Sequence, residues 1–176
     1  MSLPHALLTA LAERPCSGSE LAARFDRSLG YFWQATHQQI YRELARLEEA
    51  GLIKGTRVER ARGRKREYRI LPAGTAELAR WVAEPQQPDA IRDELMVRLR
   101  AAAITDVDTL RANLQNLLDH HRAKLELYVG IATRDFTKET MSRAARLRAL
   151  VLQAGIDFEQ QRINICQDAI AILTED

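Results

Sequence analysis

The chain has 176 residues, 46% of them hydrophobic and 28% charged, with a net charge of +2. This is globular composition with room for one domain or two small ones, and it is not that of a disordered tail. No run approaches the roughly 18 apolar residues of a membrane span, and the start of the chain lacks the basic region and long apolar run of a signal peptide. The two cysteines, Cys16 and Cys166, stand far apart with no second ligand nearby, which reads as free thiols in a reducing cytoplasm.

The first helix is expected over residues 4–13, with Leu7, Leu8 and Leu11 on one face and Pro15 as its stop. Ser17 and Glu20 have the spacing of a capping box, opening a second helix that carries Leu21, Ala22 and Phe25 inward and ends near Arg27. Thr36 and Gln39 repeat that spacing ahead of a third helix reaching Ala50, where Ile40, Leu44 and Leu47 recur at helical period and Gly51 caps the end. From Leu52 the period shortens. Residues 52–59 and 67–71 read as strands flanking a tip, residues 60–66, that contains Arg60, Arg62, Arg64, Lys65, Arg66 and a turn glycine, Gly63. Pro72 opens a fourth helix through Thr75, Leu78 and Val82.

Residues 84–88, with two prolines and two glutamines, read as a linker. Three helices are expected beyond it, over residues 89–103, from 105 or 106 to 133, and over 138–173. The second of these aligns Val107, Leu110, Leu114, Leu117, His121, Leu125 and Tyr128. The last carries two apolar seams. Ala149, Leu152, Ile156, Ile163, Cys166, Ile170 and Leu173 form one, and Val151, Phe158, Ile165 and Ile172 form the other, about a hundred degrees round. One seam can pack on its own chain. The other needs a partner, and a two-fold dimer is the least costly one. Leu152, Ile156, Phe158, Ile163, Ile165, Ile170 and Leu173 are therefore the expected dimer interface.

Charge is uneven. Residues 1–82 hold 14 Lys and Arg against nine Asp and Glu, whereas residues 83–176 hold 12 against 15. Two short helices, a turn, an amphipathic helix and a basic hairpin, in that order, make a winged helix-turn-helix. Its third helix shows Gln38, Arg42, Ala45 and Glu49 away from the core, with Tyr41 at the flank. Gln and Arg can bond base edges bidentately, and Tyr41 can bond a phosphate. The expected DNA-binding residues are Thr36, His37, Gln38, Gln39, Tyr41, Arg42, Arg60, Arg62, Arg64, Lys65 and Arg66. An ordinary solvated helix face and charge run is the alternative.

Three segments carry a family resemblance: Pro15-Cys16-Ser17-Gly18, Phe25-Asp26-Arg27-Ser28-Leu29-Gly30-Tyr31-Phe32-Trp33, and the run from Gln39 through Gly51-Leu52-Ile53. They resemble the PadR family of transcriptional regulators, and the helical arm resembles its long-armed branch. The chain departs at Ser19, where members often carry an aromatic residue, and at Gln38, where a small one is frequent. The resemblance implies a mainly helical protein with a small β-hairpin, divided into a winged-helix domain (1–83), a linker (84–88) and a helical dimerisation domain (89–176). It implies a cytoplasmic homodimeric repressor on a near-palindromic double-stranded operator, with no membrane partner. A small aromatic or phenolic effector that releases the DNA, and a protein-interaction adaptor, are the other readings.

No cofactor, metal or enzyme signature stands out. His120 and His121 are neighbours on a helix and point apart; His121 reads as a core or interface histidine, with a pH or ligand role as the alternative. Trp33 and Trp81 read as core residues or as a stacking surface for a flat ligand.

Overall fold

The computed structural model describes residues 3–27, 35–58, 65–86, 92–105, 108–136 and 140–175. Arg60, Arg62, Arg64, Trp33, Val107 and the side chain of Phe25 lie outside the described residues. The chain forms two compact units, Met1–Pro88 and Asp89–Asp176.

The first unit contains α1 (Leu3–Glu13), β1 (Cys16–Ser17), α2 (Gly18–Arg27), α3 (His37–Glu49), β2 (Ile53–Arg57), β3 (Arg66–Ile70) and α4 (Pro72–Ala83). Its core joins Leu7, Leu8 and Leu11 of α1 to Leu21 and Ala22 of α2, to Ile40, Leu44 and Leu47 of α3, and to Ile53 and Tyr68 of the sheet. Each fully buried aliphatic side chain contributes about 1.5–3 kcal/mol, so this apolar stripe, more than propensity, holds three short helices in place. Arg24 of α2 donates to the carbonyls of Ala10 and Arg14 at 3.2 and 3.1 Å, tying α2 to the end of α1. At the other end of α1, His5 Nε2 bonds Glu77 Oε1 of α4 at 3.0 Å. Trp81 is 37% exposed and stacks on His5, with ring centroids 4.4 Å apart; it is a surface residue of α4 and not a core one.

The sheet is antiparallel with β3 at its centre, in the order β1-β3-β2. The two-residue strand β1 was not expected from sequence. It pairs Cys16 with Tyr68 and Ser17 with Glu67. The hairpin places Ile53 opposite Ile70, Lys54 opposite Arg69, Gly55 opposite Tyr68 and Arg57 opposite Arg66. Helix α3 is capped by Ala50, not Gly51, which follows it at φ 70°. Gly51 N and Leu52 N donate to the carbonyls of Glu48 and Leu47, each at 3.0 Å. This Schellman closure turns the chain directly into β2.

The second unit contains α5 (Glu94–Ala102), α6 (Asp108–Asp135) and α7 (Arg143–Ile172). Helices α6 and α7 pack as a long hairpin around Leu114, Leu118, Ile163, Cys166 and Ala169, with Leu95, Leu99, Leu110, Leu117, Leu125, Ile170 and Leu173 at the margin. Ile163 is buried within its own chain, and Ile170 and Leu173 are half-buried against the same cluster. Leu152 and Ile156 are half-buried, as is Ile165 of the second seam. The rest of that seam is open, with Val151, Phe158 and Ile172 exposed and Leu147 and Leu150 extending it. Asp93 caps α5 by accepting from Leu95 N at 3.1 Å, and pairs with Arg162 of α7 at 2.6 Å. That guanidinium holds the Asp93 carboxyl below its usual range.

The hairpin also buries charge. Glu159 is 2% exposed and His121 is 8% exposed. The Glu159 carboxyl group is hydrogen-bonded to His121 Nδ1. Lys124 Nζ stands 3.8 Å from its other oxygen. His121 is therefore a core histidine tied to a carboxylate 38 residues away.

Candidate nucleic-acid interface

Helix α3 can present side chains outward only because three of its residues are anchored inward. Ile40 and Leu44 are fully buried and Leu47 nearly so, which leaves Gln38, Tyr41, Arg42, Ala45 and Glu49 exposed on the opposite side. Its first turn is closed by a complete capping box: Gln39 N donates to Thr36 Oγ1 at 3.2 Å, and Thr36 N donates to Gln39 Oε1 at 2.8 Å. Thr36 Oγ1 also donates to Gln39 Oε1 at 3.2 Å. Both were expected to face DNA. The structure engages them with each other at the helix start, and both stay exposed. His37 is exposed in the first turn.

Tyr41 owes its position to a glycine that sequence reading passed over. Its ring lies across Gly18 at the start of α2, where a Cβ would come within 2.5 Å of Tyr41 Cε1. The ring is 46% exposed, held from one side and open on the other. Gln38, Tyr41 and Arg42 therefore form a contiguous outward patch of one amide, one phenol and one guanidinium. This set can bond base edges and phosphate oxygens.

The wing differs from expectation at its base. Arg66 is the first residue of β3 and not part of the tip. Its Nη2 donates to Glu48 Oε1 at 2.7 Å and to the Gly55 carbonyl at 2.9 Å. Lys65 Nζ donates to Glu20 Oε1 at 3.1 Å. Each cation is paired with a carboxylate, and both side chains stay exposed. The exposed cations of the described wing that make no ion pair among the described residues are Lys54, Arg57 and Arg69. Lys54 and Arg69 stand directly opposite each other across the strands. Like charges so placed destabilise an isolated hairpin and suit a surface that meets a polyanion.

Comparison with known proteins settles the class. Residues 7–80 match the Transcriptional regulator PadR-like family, and residues 91–174 match the Virulence activator alpha C-term. A Mycobacterium tuberculosis protein named as a transcriptional regulator is 40% identical over 187 residues, covering 99% of each chain. The chain belongs to the PadR-like family of transcriptional regulators. It is a DNA-binding regulator with a winged helix and a helical C-terminal region, in a family of regulators and not of enzymes.

Solved structures of other proteins are similar to the chain. The virulence activator AphA of Vibrio cholerae matches with a TM-score of 0.79 at 31% identity, covering 98% of both chains. PadR of Bacillus subtilis, a negative transcriptional regulator, is 28% identical over 186 residues, covering 99% of this chain and 98% of that protein. In complex with p-coumaric acid it matches with a TM-score of 0.75 at 26% identity, covering 99% and 96%. In complex with operator DNA the TM-score is 0.81 at 24% identity, covering 98% and 99%. Among the described residues no helix is long and apolar enough to cross a membrane.

Proposed function

We propose that the chain is a cytoplasmic repressor that binds a near-palindromic operator as a homodimer, with residues 1–83 reading DNA and residues 89–176 joining the two chains. The observation that carries this is the exposed Gln38–Tyr41–Arg42 patch on a capped, core-anchored α3, beside a cationic wing. The open seam of Val151, Phe158 and Ile172 supports the dimer, because an apolar stripe along a helix this long is stabilised by a second copy. Repression is the economical sign: a dimer seated over a promoter blocks it by occupancy alone, whereas activation needs a further surface for the polymerase. The Bacillus subtilis relative is named as a negative regulator.

The test is a footprint of full-length protein on the DNA flanking its own gene, paired with sedimentation and a promoter reporter. The expected result is two protected half-sites about one helical turn apart, or a multiple, from a dimer that lowers reporter output. Affinity should fall steeply with salt. Absence of a discrete protected site, a monomer on DNA, or a rise in reporter output would each overturn the corresponding part. Gln38→Ala should alter the base preference of the site, and an unchanged preference removes Gln38 from the reading face.

A second reading is favoured by the relative solved with p-coumaric acid: a phenolic acid binds this chain and releases the operator. An open groove of about 440 Å³ lies on α6, lined by Ala123, Glu126, Leu127, Gly130, Ile131 and Arg134, and it is not enclosed like a small-molecule site. Titrating phenolic acids into a preformed operator complex decides this reading. Release at saturating acid supports it, and an unchanged complex rejects it.

A further inference from the structure

We infer that Glu48 and Glu20, two acids, are positioning residues for DNA binding: they clasp the base of the wing to α3 and to the start of α2. Their loss should weaken the duplex complex even though it removes negative charge from a protein that meets a polyanion. The inference rests on the DNA-binding reading above and deepens it.

Glu48 sits in the last turn of α3. Its Oε1 accepts from Gly55 N at 2.9 Å and from Arg66 Nη2 at 2.7 Å, so one oxygen touches both strands of the wing. Arg66 closes the ring by donating to the Gly55 carbonyl, and its guanidinium carbon lies 5.5 Å from the centre of the Tyr68 ring. This nesting needs Gly55. A Cβ there would come within 2.8 Å of Arg66 Nη2 and 2.9 Å of Tyr68 Cε1.

Glu20 makes the second clasp from the opposite side. Its Oε1 takes Lys65, and its Oε2 accepts from Ser17 N at 2.9 Å. Ser17 belongs to β1, which is itself paired to β3. The backbone bond from Ser17, together with Lys65, lowers the Glu20 pKa to about 2.

A two-stranded hairpin alone is marginal in water, and ordering a mobile wing at the moment of binding would subtract from affinity. Two attachments on different helices remove that freedom in advance and leave Lys54, Arg57 and Arg69 at fixed places relative to α3. Charge arithmetic predicts the opposite outcome, because neutralising Glu48 would free Arg66 for a phosphate and tighten binding. The two accounts differ in sign.

The experiment compares full-length E48Q, E20Q, E49Q, R66Q and the E48Q/R66Q double variant by fluorescence anisotropy on the footprinted duplex, with melting curves for each. Glu49 supplies the matched charge loss: it is the next residue of α3, exposed, and makes no ion pair among the described residues. E48Q should bind roughly three- to fivefold more weakly, while E49Q binds as tightly as the unmodified protein or more tightly. The double variant should be no weaker than R66Q alone, because Glu48 acts through Arg66. A hydroxyl-radical footprint of E48Q should lose the flanking protection due to the wing and keep that due to α3.

E48Q binding as tightly as E49Q, or more tightly, at a temperature where both are folded overturns the inference. If E48Q melts too low to be read, E20Q carries the same comparison, since a glutamine still accepts from Ser17 N and preserves the cap. If the unmodified protein protects no duplex, the DNA-binding reading fails. If it binds and E48Q matches E49Q, only the positioning role fails.

Discussion

Replacing His121 by alanine tests the buried charge of the helical hairpin. Glu159 is 2% exposed and its carboxylate is bonded to His121 Nδ1, with Lys124 3.8 Å away. Truncating His121 leaves a buried carboxylate short of its donor, a loss of about 3–5 kcal/mol when one partner of such a pair is removed. Lys124 is partly exposed and near enough to close some of the gap, which places the expected cost at the low end, about 3 kcal/mol. In a unit of this size that lowers Tm by at least about 12 °C. Converting both residues, as H121L/E159M, removes the charge together with its partner and should return stability to within about 1 kcal/mol of the starting protein. Urea unfolding followed by circular dichroism, at one protein concentration throughout, reads all three proteins. An H121A cost below about 1 kcal/mol would refute the reasoning. So would a double variant as unstable as the single one, because the damage would then come from lost packing and not from the stranded carboxylate.

Three further outcomes are expected. Gly18→Ala should leave stability within about 1 kcal/mol, since the half-exposed Tyr41 ring can swing off the new methyl; operator affinity should drop in the same preparation, and unchanged affinity would detach Tyr41 from the interface. Leu44→Ala removes a fully buried side chain at the centre of the first core and should cost about 2–5 kcal/mol in urea unfolding. Glu20 has a folded pKa near 2 against a reference value of 4.5. Its contribution is therefore complete above the unfolded value and fades as pH falls from 4.5 toward 2. Carboxyl chemical shifts followed through that window should place its midpoint at the low end, and a midpoint near 4.5 would mean that neither Ser17 nor Lys65 holds it.

Local rules were enough to find α3. The Thr36–Gln39 spacing, the inward Ile40, Leu44 and Leu47, and the turn at Gly51 are all short-range signals, and the helix follows them. What those rules left open was use. A capping box engages the two side chains that form it, and Thr36 and Gln39 form one. The basic run suggested a uniform tip, but Glu48 and Glu20 lie 18 and 45 residues from the cations they hold. No periodicity links residues so far apart. The same holds for β1, which has two residues and no alternation of its own and exists because Tyr68 and Glu67 are there to pair with it. In the arm the signal was present and unread: Glu159 falls between Ile156 and Ile163 on the apolar seam, where a carboxylate requires a buried partner. His121, on the matching stripe of α6, is that partner.

The central position of β3 also sets an order of assembly. The hairpin with β2 is a local contact, but the pairing of Cys16 with Tyr68 spans most of the first unit. Closing so long a loop is slow compared with helix formation. During synthesis α1, α2 and α3 leave the ribosome before β3 does, and until then the backbone groups of β1 are bonded to water. Helix α3 is thus available to fold before the wing that flanks it. A nascent chain stalled short of Tyr68 would hold the proposed reading helix without the sheet that braces it.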